Sequence, residues 1–505
     1  MKSGCLFLSL FVSGLLPYGL AAQDSRPATQ ASRIRPNVIL ILADDLGYGD
    51  VHANYPESRL HTKALDALAA GGMRFTDAHT PSSVCTPTRY GLLTGRYCWR
   101  SRLKRGVLNG YSPPLIEKDR QTMGDLFSGS GARTAIVGKW HLGLGWVREG
   151  KKIDYSKPVT HGPMQLGFDE SLIIPASLDF PPYVYLADGR VTDTTMVVQK
   201  PGRFPAFLRK GPRSKDLVMT DVLDRLTERS LRFIRANAAK KQRFFLYFPL
   251  TAPHKPLLPH QRFRGKSGLG DYGDFVLQVD DCVGRILAAV DEAGITKDTM
   301  IVVSSDNGSY MYRLPPDKKP DHVESSRVAG YRVEHHRPNG IYRGTKADIW
   351  DAGHRVPLIV RWPGHVPAGQ VEPRIVCLTD LMATFAELLG KPIAEGMAQD
   401  SVSFLPTLLG KTQPARPAIV HHSVAGMFAI RKGRYKLIAG NGSGGRERPK
   451  GKPFARPYRL SDMEADPEEA RDHLSEHPEV AHELERLLDS IRGSRQPQKT
   501  PRKSP

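Results

Sequence analysis

The sequence predicts an α/β protein: a doubly wound, mostly parallel sheet flanked by helices, followed by a smaller C-terminal α+β domain that carries a short antiparallel sheet. Three observations carry this. Short apolar runs of β-branched character recur up to residue 398, and each stops abruptly in polar or ionisable residues. Helical patterns lie between them, and strands that alternate with helices build a parallel sheet. From residue 399 the pattern changes to shorter strands and a polar helix.

In chain order the expected buried strands are N-V-I-L-I-L-A-D-D (37–45), T-A-I-V-G-K-W-H (134–141), F-F-L-Y-F-P-L-T-A-P-H (244–254), T-M-I-V-V-S-S-D-N-G (299–308) and V-P-L-I-V-R-W-P (356–363). The helical stretches between them are L-D-A-L-A-A-G-G, stopped by glycine, then T-M-G-D-L-F, T-D-V-L-D-R-L-T-E-R-S-L-R-F-I and D-F-V-L-Q-V-D-D-C-V-G-R-I-L-A-A-V-D-E-A-G. The C-terminal part reads as strands A-I-V-H-H, M-F-A-I-R and Y-K-L-I, a turn at E-A-D-P-E-E and a helix through H-E-L-E-R-L-L-D-S-I. In sheets of this kind ligands bind beyond the carboxyl ends of the strands, so the ionisable residues collected there are expected to converge.

The chain opens with one lysine, an apolar run, a break at Pro17 and Gly19, and small residues at Ala21 and Ala22. This is the pattern of a cleaved signal peptide, and the run is shorter than the roughly 20 residues a bilayer demands. The expected organisation is a signal peptide at 1–22, a linker at 23–35, a catalytic domain at 36–398, an α+β domain at 399–491 and a basic disordered tail at 492–505. Export to the periplasm or extracellular space follows, without stable membrane insertion.

A net charge of +20 favours polyanionic partners. For an exported protein these are sulfated or carboxylated glycans rather than nucleic acid, since no helix-turn-helix, RNP or zinc-finger pattern is present. Once the signal is removed, Cys85, Cys98, Cys282 and Cys377 are too few for a disulfide framework, and no CxxC pair offers a zinc ribbon or redox dithiol. Cys98, Cys282 and Cys377 read as structural or free thiols.

Asp44 and Asp45 close the first strand; Asp306 and Asn307 close another. Adjacent carboxylates repel, and two such pairs at strand ends make sense around a hard cation with an all-oxygen shell, Ca²⁺ or Mg²⁺. Either pair alone also fits an acidic turn. Lys139, His141, His254 and Lys346 likewise follow apolar runs or lie in polar loops. Cations aimed at the same place as a metal need an anion between them, so together these residues describe an oxyanion pocket. Singly, His141 fits a hydrogen-bonded loop residue and the lysines fit exposed charges. Cys85 itself fits a disulfide partner, a metal ligand, a thiol nucleophile or a residue modified before it acts.

The stretch C-T-P-T-R with downstream L-L-T-G-R resembles the sulfatase signature C-x-P-S-R-x-x-L-L-T-G. Further blocks resemble the same family in its order: N-V-I-L-I-L-A-D-D-L-G-Y-G-D, G-K-W-H-L-G, T-A-P-H-K-P, S-D-N-G, Y-R-G-T-K-A-D-I-W-D-A-G-H-R-V-P-L-I-V-R-W-P-G and L-S-D-M-E-A-D-P-E-E. The chain is identified on these as similar to the arylsulfatase-type, formylglycine-dependent sulfatases of the alkaline-phosphatase-like superfamily.

The resemblance implies oxidation of Cys85 to Cα-formylglycine by a formylglycine-generating enzyme. It implies Asp44, Asp45, Asp306, Asn307 and residue 85 as metal ligands. The hydrated aldehyde would attack sulfur with one hydroxyl and expel sulfate with the help of the other. Arg89 would steady the diol and His141 would serve as base. Lys139, Lys346 and Ser177 would bind sulfate oxygens, and His254 would protonate the leaving alcohol. Thr88 stands where the family has serine and keeps the hydroxyl.

The expected activity is hydrolysis of a sulfated carbohydrate or aryl sulfate. Specificity is expected from S-L-D-F-P-P-Y-V-Y-L, the region 309–343 and His421 and His422. Two other readings remain: a phosphodiesterase or phosphonate monoester hydrolase of the same superfamily, and an unmodified protein that binds sulfated glycans.

Overall fold

The computed structural model describes Met1 and residues 35–494. The expected signal peptide, nearly all of the linker and most of the tail lie outside the described residues. No described helix is long and apolar enough to cross a membrane.

The central sheet has ten strands: Asn37–Asp44 (β1), Met73–Phe75 (β2), Arg133–Lys139 (β3), Glu170–Ile174 (β4), Leu186–Ala187 (β5), Arg190–Val191 (β6), Phe244–Pro253 (β7), Thr299–Ser305 (β8), Leu358–Arg361 (β9) and Gln370–Glu372 (β10), in the order β10-β2-β9-β8-β1-β7-β3-β4-β5-β6. From β8 through β4 neighbouring strands are all parallel. The expected strand at 356–363 is present as β9, but it runs antiparallel to β8 and pairs with β2. A short apolar run specifies burial and says nothing of direction, so this was not readable from composition.

Both faces of the sheet are covered, which explains why its strands read as continuous apolar runs. In β1, Val38, Leu40 and Leu42 enter one core and Ile39, Ile41 and Ala43 the other, following the alternation of a strand. The second core takes Lys63–Ala70 (α1), Val222–Ala239 (α4) and Gly270–Glu292 (α5). The first takes Cys85–Thr94 (α2), Met123–Ser128 (α3) and Asp380–Leu389 (α6).

Beyond these lie four antiparallel strands, Ile419–His422 (β11), Phe428–Lys432 (β12), Tyr435–Ala439 (β13) and Arg459–Asp462 (β14), and the helix Pro478–Gly493 (α7). Their core includes Val420, Ile430, Leu437, Leu484 and Leu488, and also Tyr97 and Trp99 from just beyond α2. Because α7 runs to Gly493, residues 492 and 493 are helical rather than part of a disordered tail.

Candidate active site

Strand register delivers the first acids to one place. Ala43 lies opposite Ser305 and Asp44 opposite Pro253, so Asp44, Asp45, Asp306, Asn307 and His254 all sit past the carboxyl ends of β1, β8 and β7. The Asp45 backbone NH donates to Asp306 Oδ1 at 3.2 Å and the Asp306 NH to the Ala43 carbonyl at 3.1 Å, which locks the two strand ends together. Lys139 ends β3. Gly138, with φ of 141°, sits so close to β7 that a Cβ would fall 1.8 Å from the Pro249 carbonyl oxygen. Only glycine permits that approach.

Cys85 is the first residue of α2, after an extended Val84. Pro87 is tolerated there because first-turn amides lack helical partners anyway. At the far end Gly95 adopts the left-handed cap (φ 63°). The Thr88 hydroxyl is buried and donates to the Ser82 carbonyl at 3.0 Å.

Around Cys85 the contacts alternate in sign. Lys346 Nζ lies 3.2 Å from Cys85 Sγ and 2.5 Å from Asp45 Oδ1. Asp44 Oδ1 is 3.7 Å from the sulfur, and Asp44 Oδ2 accepts from Lys139 Nζ at 2.7 Å. Arg89 sends Nε and Nη2 to Asp306 Oδ2 at 2.9 and 2.7 Å and Nη1 to the Lys139 carbonyl at 3.0 Å. Asn307 Nδ2 donates to Asp45 Oδ1 at 2.7 Å. Three carboxylates thus face three cations, all buried.

The cluster contains places for a cation. Donor atoms of Asp44, Asp45, Cys85 and His254 lie within 4.8 Å of one another. Asp45 Oδ2 and Asn307 Oδ1 are buried without a hydrogen-bond partner among the described residues. Unmet acceptors of this kind fit a hard, oxygen-loving ion. His254 Nε2 is 3.6 Å from Asp45 Oδ2, a contact absent from the sequence-based ligand set.

The thiol of Cys85 is pushed up to about 12 by burial and by Asp306, against the pull of Lys139 and Lys346. An unmodified Cys85 therefore stays protonated at neutral pH, which disfavours it as a thiolate nucleophile. His141 donates Nε2–H to the Leu108 carbonyl at 2.8 Å, which leaves Nδ1 buried, unprotonated and unpartnered among the described residues. Burial and then Lys139 hold it neutral to well below its ordinary range. His254 is held down by burial, Lys346 and Lys139, and its Nδ1 donates to the Lys255 carbonyl at 2.5 Å.

Ser177 follows β4 with its hydroxyl buried and without a partner among the described residues; Phe180, three residues on, lies 6.0 Å from the His141 ring. Three neighbours were not singled out by the sequence reading, although Asp179 and Tyr310 lie in the stretches expected to set specificity. Tyr310 is buried near Asp45 and His254, and Asp179 and Lys255 lie within electrostatic reach of His254 or each other. Lys255 and Asp179 were adjacent to chosen residues, at T-A-P-H-K and S-L-D, and that adjacency was the available signal.

His421 and His422 do not line the pocket. His421 is fully buried, stacked on His354 at 3.8 Å with Nδ1 donating to the Thr80 carbonyl, and His422 Nδ1 meets Ser82 Oγ at 3.0 Å. They sit on β11, a strand buried on both faces, rather than on a loop. Cys98, Cys282 and Cys377 are buried and free.

Comparison with known proteins agrees with this geometry. The chain is 35% identical over 498 residues to an N-acetylgalactosamine-6-O-sulfatase of Bacteroides thetaiotaomicron, covering 91% of this chain and 93% of that protein. It is 33% identical to arylsulfatase A of Bos taurus over 79% of this chain and 74% of that one. A solved structure from the study of glycosaminoglycan metabolism by Bacteroides thetaiotaomicron superposes with a TM-score of 0.80 at 33% identity, covering 91% of this chain and all (100%) of that one. A second family description, N-sulphoglucosamine sulphohydrolase, C-terminal, matches residues 345–494. The Sulfatase family model matches residues 36–391, and with it the chain belongs to the sulfatase family and is an arylsulfatase-type sulfuric ester hydrolase.

Proposed function

We propose that the protein is exported, is matured at Cys85 by a formylglycine-generating enzyme, and releases sulfate from the 6-O-sulfated N-acetylgalactosamine units of a glycan. The observation that carries the chemistry is the position of Cys85 Sγ, at the start of α2, between Lys346 Nζ at 3.2 Å and Asp44 Oδ1 at 3.7 Å. The sugar is suggested by the Bacteroides relative at 35% identity over nearly the full length of both chains. In this reading the catalytic domain ends at residue 398 and the α+β domain follows.

A divalent ion, Ca²⁺ or Mg²⁺, held by Asp44, Asp45, Asp306, Asn307 and residue 85 would supply fixed positive charge beside the reacting group. Formylglycine hydrate would supply an oxygen nucleophile with a second hydroxyl for release. The chain's own residues do the rest. Asp44, Asp45 and Asp306 balance Arg89, Lys139 and Lys346, so a dication adds positive charge to the pocket that the singly charged sulfate ester partly offsets. Metal and sulfate ester are therefore expected to bind cooperatively.

Lys139 and Lys346 orient sulfate oxygens with charges already in place, at no cost of reorganisation. Ser177 adds a hydroxyl donor. Arg89 is held by Asp306 and the Lys139 carbonyl, which fixes it beneath residue 85. His141 offers an unprotonated Nδ1 as base. His254 must carry a proton on Nε2 to act as acid, and the negative charge of the bound sulfate ester raises its affinity for that proton by offsetting Lys346 and Lys139.

The test is to produce the protein with the maturation enzyme, locate formylglycine at residue 85 by peptide mass spectrometry, and compare sulfate release from galactosamine-6-sulfate oligosaccharides with cleavage of glucosamine-6-sulfate and an aryl phosphodiester. Preferential release from the galactosamine ester is expected. A faster phosphodiester reaction, or sulfate release from protein carrying only thiol, overturns the reading.

A further inference from the structure

A cavity of about 780 Å³ opens beyond the other end of α2 from Cys85. With a rise of about 1.5 Å per residue, the ten-residue helix (Cys85–Thr94) separates the two by roughly 15 Å. The volume is that of a ligand site. Its lining includes the cations Arg96, Arg100, Lys104, Arg105 and Arg492, and no carboxylate.

Some of these charges are already spent. Arg100 is locked to Asp400 at 2.8 and 2.9 Å, Arg96 Nη1 meets Glu117 at 3.2 Å, and Arg492 meets Asp489 at 3.1 Å. Lys104 donates to the Trp99 carbonyl at 2.6 Å, and neither it nor Arg105 has an ion-pair partner among the described residues; both are exposed. The cavity therefore keeps a positive excess.

Two deeper groups are unmet. Trp99 is 7% exposed, with Tyr97 stacked at 5.6 Å and the Arg100 guanidinium 4.4 Å from the ring, while its Nε1–H is buried and has no partner among the described residues. Gln399, 8% exposed, has a buried side-chain oxygen in the same condition. Buried polar groups are normally satisfied, and both of these belong to side chains that line the cavity, where a ligand that displaces little of the wall would meet them. An indole N–H and several cations ask for anionic oxygens; an amide oxygen asks for a hydroxyl.

We propose that this cavity is a second carbohydrate site, which grips a sulfated or carboxylated stretch of the glycan away from the bond being hydrolysed. This rests on the glycan reading above. A polysaccharide carries both required groups, acid oxygens and sugar hydroxyls, on one chain. The two places are also linked: the segment bearing Lys104 and Arg105 continues through Gly106, bonded to the Val424 carbonyl, to Leu108, whose carbonyl receives His141. A chain long enough to fill both gains affinity by linkage, and a short substrate does not.

The experiment uses the full chain in two forms, the matured enzyme and a Cys85→Ala protein for binding alone. In each, Lys104→Glu combined with Arg105→Glu reverses the exposed charge, and Trp99→Phe removes the indole N–H together with part of the packed ring, with thermal unfolding recorded to separate lost packing from lost binding. Long and disaccharide-length galactosamine-6-sulfate fragments are titrated calorimetrically, with duplex DNA as a competing polyanion. The charge-reversed protein should bind the long fragment about tenfold more weakly, with the disaccharide unchanged. In the matured enzyme KM for the long fragment should rise alike, with kcat and the turnover of 4-nitrophenyl sulfate held. Trp99→Phe should weaken the long fragment too.

Equal binding of the long fragment by parent and charge-reversed proteins overturns the inference, as does DNA that competes as well as the glycan. If the matured enzyme releases no sulfate while the Cys85→Ala protein still shows the length-dependent loss, the substrate assignment fails and the second site stands.

Discussion

Lys346 shows how one side chain can serve two partners. Burial works against its charge, but Asp45, Cys85 and Asp44 outweigh it and hold the ammonium well above its ordinary range. Lys346→Met should keep the fold by circular dichroism and lower kcat by about 10²–10³-fold, the usual loss when one preorganised charge is removed from a developing anion. His141 gives a pH test. In the proposed reaction its neutral form is the base, and burial with Lys139 depresses its proton affinity, so activity should persist on the acid side of 6.5. Lys139→Met removes a repelling cation, raises that affinity, and should move the acid limb of the kcat profile upward. Cys85, the paired acids and the lysines were legible because ionisable residues at the ends of apolar runs are conspicuous. Tyr310 fell within the 309–343 stretch expected to set specificity, but a lone tyrosine after S-D-N-G-S has no pattern to single it out.

The helix α2 carries Cys85, the residue proposed to react, and was not predicted as a helix. All ten of its residues are buried, so it has no polar face and its sequence lacks the amphipathic period by which surface helices are read. Proline in its first turn and glycine at its left-handed cap were the marks it offered. Gly91, in its middle, faces Pro81 and Thr379, and an added Cβ would come within 2.9 Å of Pro81 Cγ and 3.1 Å of Thr379 Cγ2. Gly91→Ala improves helix propensity but overpacks a contact with little freedom to yield. The clash should win: a loss of about 1–3 kcal/mol in denaturant unfolding is expected, and activity should fall with it because Cys85 is placed by the same helix. The strands β1, β3, β7 and β8 were readable for the opposite reason. Each is buried on both sides and carries an unbroken apolar run, while the antiparallel sense of β9 is set by partners distant in sequence.

The change of pattern near residue 399 announced the second sheet, but not what joins it to the first. The junction is a buried charge cluster. Asp77, between β2 and the signature helix, accepts from Arg431 on β12 at 3.0 and 2.8 Å, from Arg355 at 2.7 Å and from His79 at 2.6 Å. His79 is local, but Arg355 and Arg431 lie hundreds of positions away, so no local spacing betrays the cluster. Burial raises the proton affinity of Asp77, yet Arg355 and Arg431 overcome that and leave its carboxyl far below the ordinary value of 3.8. The native state therefore binds this proton less readily than the unfolded chain. The stability this contributes is complete above the unfolded value and is lost as pH falls through it toward the lower folded one. Thermal unfolding followed from pH 6 to pH 2 should show a falling midpoint, with a shallower fall in Asp77→Asn, which starts lower because both arginines lose a charged partner. Arg431→Met should cost about 3 kcal/mol, the scale for breaking one side of a buried pair, since Asp77 stays charged against Arg355 alone. A pH dependence unchanged in Asp77→Asn would show that the two sheets are held by apolar packing and their other polar contacts, such as His422 to Ser82, and that this cluster sets their register without stabilising it.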